Sequence, residues 1–366
     1  MWPHYRPDPL YLISMEFEVL DSREVPGGLD LIVSPRPGTD PKAAFTRVAK
    51  ELMRYGMVPK LLKTPDGRLY LLVRTVRRPK PLETWKSLAS LAICLVTVWI
   101  SGSLMSQSLL ELVSKADVQF ISSLGSSLRL INPVFFVIPL FSILGIHEFG
   151  HMLATKRWGG EWEPPIFIPG PPPLGTFGAV IRSAKIPINR DEIFDLGFSG
   201  PLSGFIPAVV MSVIGILTSP LIPIEEAIQL AKEEGLQFVP TPLLFDIIQR
   251  LLSHPEGMTI IMSPIAFAGW VGLVLTFLNL LPAGQLDGGH VAYALLPNPK
   301  ARLALGVVAV ILAVPYSPLM ALLIAFFMLS KHPPPLDEVS PLSKSRKVIG
   351  VAAYISLLIL TSPLSI

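Results

Sequence analysis

The chain has 366 residues, 51% of them apolar and 16% charged, with a formal net charge of +3 and a mean hydropathy of +0.55. A soluble globular domain carries about 25% charged residues, so this composition points to a multi-span membrane protein with a smaller polar part. The charge is too small for a nucleic-acid partner, and one cysteine, Cys94, excludes an intrachain disulfide and any Cys-based zinc site.

The first residues, Met1 to Pro7, have neither an apolar core segment nor Arg/Ser-rich amphipathic character, and read as neither signal nor transit peptide. Residues 1–80 are expected to form a small soluble α+β domain. Met15 to Leu20 alternates apolar and polar residues, and Leu29 to Ser34 is a second strand candidate. Asp40-Pro41 opens a helix with a cap and a proline at its first position, Phe45, Val48, Leu52 and Met53 form its apolar stripe, and Gly56 is placed to end it. Val58 to Lys63 and Arg68 to Val76 flank the turn signal Thr64-Pro65-Asp66-Gly67. No catalytic motif lies here, and the expectation is a docking or regulatory module.

A first span is expected from about Ser87 to Leu104, behind the cations Arg74, Arg77, Arg78, Lys80 and Lys86. Residues 105–132 are mixed and weakly amphipathic. The second span, 133–155, carries no charge apart from one motif and the Lys156-Arg157 pair that follows the span. That motif is His147-Glu148-Phe149-Gly150-His151. Two histidines four apart lie about one turn apart on one helix face, where both can reach one metal ion with Glu148 beside it as general base. Inside a membrane helix such residues are a functional site by default.

Residues 161–190 change character. The run Ile166 to Pro173 cannot be helical, and Thr176 to Ile181 can be a strand, so a β-hairpin or re-entrant loop at the membrane surface is expected. Its edge could pair with an extended peptide, which makes Phe177 and Gly178 candidate substrate contacts. The third span, 194–218, holds Gly197, Gly200-Pro201 and Ser203-Gly204, small residues that suit close helix approach or a broken helix. Ile224 to Leu236 and Leu243 to Leu252 are amphipathic and suit helices on the outer surface. The fourth span, 262–281, leads into Asn279 to His290. Two short apolar segments, 301–314 and 317–330, are broken at Pro315-Tyr316-Ser317-Pro318 and form either a tight hairpin or one bent element. A polar, Pro-rich loop then precedes a last span, Val348 to Leu364. The fold class is thus an all-α polytopic membrane protein of about six or seven transmembrane helices, with a membrane-associated β-hairpin and the N-terminal α+β domain.

With seven spans and the N-terminus inside, the predicted inner flanks carry sixteen Lys and Arg and the outer connections four. This follows the positive-inside rule and predicts a cytoplasmic N-terminus in a multi-pass cell-membrane protein. It also puts the His147–His151 end of the second span and the Asp287 end of the fourth on one side. Catalytic zinc takes three protein ligands and leaves a position for water. Asp287 is the best third candidate, its alternative being a helix cap, and His290 is its rival. Asn279 either makes a helix-packing hydrogen bond or holds the substrate backbone or developing oxyanion.

His-Glu-x-x-His in a span, followed by Asn279-x-x-Pro282-x-x-x-Leu286-Asp287-Gly288, resembles the site-2 protease family of intramembrane zinc metalloproteases, peptidase family M50. The resemblance covers roughly residues 85–364. Gly175-Thr176-Phe177-Gly178-Ala179, Gly200-Pro201 and Gln285 to Gly289 further resemble the branch that includes plant plastid homologues. It implies one zinc ion on His147, His151 and Asp287, water activation by Glu148, and a substrate site shaped by Asn279 and Pro282. It also implies a core of the second to fourth spans, transmembrane helices as substrates and the lipid bilayer as surroundings. One departure is Gly204, where many relatives carry Asn, and the N-terminal domain is outside the family's common core. Two other classes fit the same groups: an ion- or proton-coupled transporter, which would show inverted repeats, and a proteolytically inactive membrane binding protein.

Overall fold

The computed structural model describes residues 8–76, 83–115, 118–120, 131–161, 163–180, 186–234, 239–252, 257–314, 318–328 and 334–363. His4, Arg77, Arg78, Lys80, His254, His332 and the Pro315-Tyr316-Ser317 break lie outside them.

The N-terminal region opens with a short helix, α1 (Pro9–Ser14), which the sequence pattern did not predict. Strands β1 (Phe17–Val25), β2 (Gly28–Pro35), β3 (Met57–Lys63) and β4 (Leu69–Thr75) form an antiparallel sheet in the order β1-β2-β4-β3. Helix α2 (Pro41–Arg54) lies against it. The Asp40 side chain accepts from Ala43 N at 3.1 Å, Pro41 opens the first turn, and Gly56 follows the helix in the left-handed region at φ 75°, as the cap signals predicted. Phe17, Leu31, Phe45, Leu52, Leu61 and Leu71 fill this core, and Ile188 and Leu336 join it from far along the chain.

Among the described residues, three helices are long and apolar enough to cross a membrane: α3 (Thr84–Lys115), α4 (Val134–Arg157) and α5 (Arg190–Leu217). Helix α3 runs eleven residues beyond the expected end at Leu104, because 105–115 contains neither Gly nor Pro to stop it. Helix α5 begins four residues before the expected Phe194. Its extra turn holds Asp191 and Glu192, both buried and bonded, and Asn189 caps it by accepting from Glu192 N at 3.0 Å. Strands β6 (Ile166–Pro169) and β7 (Thr176–Val180) form the expected hairpin between α4 and α5.

A three-stranded sheet, absent from the sequence-based expectation, joins β5 (Gln119–Phe120), β8 (Pro220–Pro223) and β9 (Met258–Ile260). The amphipathic helices α6 (Ile224–Glu234) and α7 (Leu243–Leu251) form as expected between β8 and β9. Helix α8 (Pro264–Leu280) follows, capped by Ser263, and then α9 (Asp287–Leu295), α10 (Pro299–Ala313) and α11 (Pro318–Met328). The last helical stretch is a π-helical turn, Arg346–Gly350, continued by α12 (Val351–Thr361). The pairings of α4 with α5 and of α5 with α8 are the most extensive between helices. Before the last helix, Leu336–Glu338 runs along β3: Leu61 N donates to Leu336 O at 2.7 Å and Glu338 N to Leu61 O at 3.2 Å. On its other side, Leu336 N and Asp337 N donate to the carbonyls of Pro187 and Ile188, just ahead of α5.

Candidate metal centre

Helix α4 carries His147 and His151 one turn apart on the face it turns to α5. The approach is close because α5 presents glycine there. A Cβ on Gly200 would land on the His151 ring, and one on Gly204 would stand 3.0 Å from His147 Cβ. Helix α5 continues unbroken through Pro201 and Pro207, so of the two roles expected for its small residues the structure shows close approach.

Asp287 arrives from α8 through a six-residue turn and is the first residue of α9. Gly288 seats α9 against the end of α8, where a Cβ would lie 2.5 Å from the Leu281 carbonyl oxygen. The Tyr354 hydroxyl of α12 donates to the Leu280 carbonyl at the same place. Three donor atoms converge as a result. His147 Nε2 is 3.1 Å from His151 Nε2 and 3.2 Å from Asp287 Oδ2, and His151 Nε2 is 3.4 Å from Asp287 Oδ2. No other His, Cys, Asp or Glu group of three among the described residues is arranged to hold a metal.

This triangle fits zinc. Tetrahedral bonds of about 2.0–2.2 Å place neighbouring donors about 3.3 Å apart. The tautomer fits as well. His151 Nδ1 lies 2.8 Å from the Leu196 carbonyl of α5, which only accepts, so Nδ1 carries the proton and Nε2 turns its lone pair into the triangle. Asp287 supplies the anionic donor. The set is two imidazoles and one carboxylate, a known catalytic zinc shell with a position left open.

Glu148, next to His147, is 9% exposed, and its Oε2 is buried with no hydrogen-bond partner. A buried, unpaired carboxylate oxygen is costly and suits a group that takes a proton in a reaction. His290 stands apart from the triangle and bonds the Leu286 carbonyl through Nδ1 at 3.0 Å, so the structure brings Asp287 rather than its rival to the histidines.

The other predicted residues are more scattered. Asn279 is half-buried in the last turn of α8, and its side chain makes no hydrogen bond among the described residues. Pro282 is half-buried in the turn before Asp287. Phe177 of β7 lines an apolar cavity of about 320 Å³ together with Pro171, Leu174, Phe267, Trp270 and Leu278. Gly178 follows at φ 96° with open space around it. Sequence reasoning missed the Leu196 carbonyl, because a backbone acceptor leaves no mark in residue identity.

Comparison with known proteins agrees with this geometry. The profile of peptidase family M50 matches residues 135–322, a little over half of the chain, from α4 into α11. The chain is 31% identical over 155 residues to the Arabidopsis thaliana protein named probable zinc metalloprotease EGY2, chloroplastic, covering 42% of this chain and 27% of that one. It is 30% identical over 233 residues to probable zinc metalloprotease EGY1, chloroplastic, of the same plant, covering 60% and 42%. With probable zinc metallopeptidase EGY3, chloroplastic, also of that plant, it shares 24% identity over 306 residues, 78% of this chain and 50% of the relative. The chain thus spans half or less of the length of these relatives. No solved structure matches. The matched stretch contains both histidines, the glutamate and the aspartate, and the chain belongs to peptidase family M50.

Proposed function

We propose that the chain is an intramembrane zinc metalloprotease that hydrolyses peptide bonds in or near transmembrane segments of other membrane proteins. One observation carries the reading: two histidines on a helix apolar enough to span a membrane, and an aspartate from α9, bring their donor atoms within 3.4 Å of one another beside a buried carboxylate with no hydrogen-bond partner among the described residues. His147, His151 and Asp287 would hold the zinc. When bound, zinc is a Lewis acid that brings the pKa of water to about 7 and polarises a carbonyl. Glu148 takes the proton of the attacking water and delivers it to the leaving amine. Leu196 keeps the His151 proton on Nδ1 throughout.

Substrate contacts follow from what surrounds this group. Asn279 has a free amide to offer the substrate backbone or the developing oxyanion, and Pro282 shapes the turn beside Asp287. A transmembrane helix hides its carbonyls in internal hydrogen bonds, so the substrate must unwind locally. Pairing with the β7 strand at Phe177 and Gly178 offsets part of that cost. In this reading α10 and α11 lie beside α3, α4, α5, α8 and the last helix, giving seven spans if they form a hairpin and six if they form one bent element. The N-terminus is cytoplasmic, the membrane is the cell membrane, and the N-terminal sheet region is a docking or regulatory domain. Cleavage falls toward the cytoplasmic side.

The test compares the purified wild-type chain with Glu148→Ala in detergent, measuring zinc content and cleavage of a model transmembrane substrate. Both are expected to bind about one zinc, with cleavage at least 10²-fold slower in the variant. Equal cleavage by the variant, or wild type that binds zinc and cleaves nothing, refutes the reading.

A further inference from the structure

The inner end of α5 carries a group of charges that the metal site does not use. Asp191 and Asp195 lie one turn apart on α5. Arg346, in the π turn, places Nε and Nη2 each 2.7 Å from the two carboxylate oxygens of Asp195, and Nη1 3.1 Å from Asp191 Oδ2. Asp195 Oδ2 also accepts from Trp158 Nε1 at 3.0 Å, and Trp158 is the residue that ends α4. Asp191 Oδ1 accepts from Ser343 N at 2.9 Å and pairs with Lys42 Nζ of α2 at 2.7 Å. Two further contacts seat α2 on this end: Asn189 Nδ2 donates to Thr46 Oγ1 at 3.1 Å, and Lys50 Nζ stands 5.5 Å over the Trp158 ring. Four parts of the chain therefore meet on two carboxylates: the N-terminal region, the end of α4, the start of α5 and the last helix.

These ties bear on the metal site through one peptide step. Asp195 is bound to the end of α4, and the next residue, Leu196, gives its carbonyl to His151 of the same helix. Between these ties and the far end of the pair, the α4–α5 seam is lined by Gly150, Gly200 and Gly204. Each glycine receives a side chain of the facing helix, Ser203 at Gly150, His151 at Gly200 and His147 at Gly204, and such packing sets the sliding register of the two helices less firmly than a charged tie does. A planar fork on Asp195 sets it firmly.

We propose that Arg346 is a positioning residue for the metal site: its two-pronged bond to Asp195 fixes where the Leu196 carbonyl stands and so keeps His151 Nε2 turned toward His147 and Asp287. Lys42 extends the same tie to the N-terminal region, so docking of that region and retention of the metal are coupled. The inference rests on reading the His-His-Asp group as the metal site. Both residues lie outside the stretch matched by the family profile.

The experiment uses the full chain in detergent: wild type, Arg346→Ala, Arg346→Lys, Lys42→Ala, and Arg250→Ala on exposed α7 as control. Zinc affinity is read by competition with a chromophoric chelator on monodisperse fractions, and cleavage at limiting and saturating zinc. Arg346→Ala is expected to weaken zinc binding by up to about 10-fold, less than the ~10–100-fold of losing a ligand's own outer partner because it acts through Asp195 and Leu196, with cleavage restored by excess zinc. Arg346→Lys falls between, since one ammonium replaces a fork. Lys42→Ala shifts affinity the same way by less, and the control matches wild type. Wild-type zinc affinity in both Arg346 variants overturns the proposal, whatever their thermal stability, and Arg346→Lys decides it where the alanine variant does not yield folded protein. If the variants lose zinc while wild type binds it and cleaves nothing, the positioning role stands and the protease reading falls. If wild type binds no zinc, both fall.

Discussion

Replacing Gly200 by alanine separates metal retention from folding. A Cβ at this position would coincide with the His151 ring, 2.5 Å from Cε1 and 2.6 Å from Cδ2. Comfortable carbon contacts lie at about 3.5–4.0 Å, so the ring must retreat by about 1 Å or more. His151 Nδ1 is held on Leu196 at 2.8 Å, so a retreat breaks either that bond or the 3.1 Å and 3.4 Å edges of the donor triangle. The helix gains nothing from alanine here, because position 200 precedes Pro201 and a Cβ before proline disfavours the helical conformation. Overpacking costs about 1–3 kcal/mol, small against the ~5–15 kcal/mol of a stable fold. Zinc affinity should fall by more than the 10–100-fold of an outer-partner loss, since a ligand itself is displaced. The assay pairs chelator competition with thermal unfolding: Gly200→Ala is expected folded, zinc-poor and inactive. Gly204→Ala, whose Cβ would stand 3.0 Å from His147 Cβ and 3.2 Å from Nδ1, is expected to follow with a smaller loss. Wild-type zinc affinity in Gly200→Ala, or a larger effect from Gly204→Ala, would refute the reasoning.

Two further outcomes concern stability. Ser263 caps α8 by accepting from Ala266 N at 3.2 Å while donating to the Gly215 carbonyl at 3.0 Å, in a buried group with Thr218 and Ser219. Ser263→Ala should cost about 1–3 kcal/mol and lower the unfolding temperature without changing zinc content. In the N-terminal region the hydrogen bond from Arg47 holds the Glu16 carboxyl below the usual carboxylate range. A lowered folded-state pKa contributes stability above the unfolded value of about 4.3 and loses it as pH falls through the folded value. The pair is largely exposed and screened by solvent, so the contribution is small. Hydrogen exchange in β1 and α2 of the full chain, corrected for intrinsic rates, should show this acid-side loosening in wild type and less of it in Arg47→Ala. An unchanged profile would show that the ion pair contributes nothing.

The metal site was largely legible before any coordinates, because His147, Glu148 and His151 are close in sequence and their geometry follows from one helix. Asp287 was legible only by combining charge asymmetry with the count of ligands zinc requires. What escaped was long-range or backbone-borne. The start of α5 lies earlier than the apolar run suggests: Asp191 and Glu192 are charges ordinarily excluded from a span, but Lys42 and the Ser343–Arg346 segment pair with Asp191, and the nearby Ile188 N donates to Glu192, which makes their burial tolerable. The β5-β8-β9 sheet escaped because its strands are two to four residues long and meet only after folding. Leu336–Glu338 read as part of a polar loop, since a single parallel bridge leaves no periodicity to find.

That last contact constrains how the chain is made. Leu61 and its bridge partner Asp337 are 276 positions apart. At synthesis rates of about 5–20 residues per second, β3 remains an open sheet edge for roughly 15–55 s after it leaves the ribosome. The segment that closes the edge is followed within ten residues by Arg346, which ties down α5. Sealing of the first sheet and bracing of the helix end are therefore one late event in biogenesis. A polypeptide cut short before residue 336 carries both an unpaired β edge and an α5 held only by its contacts with α2 and α4, without the Arg346 fork.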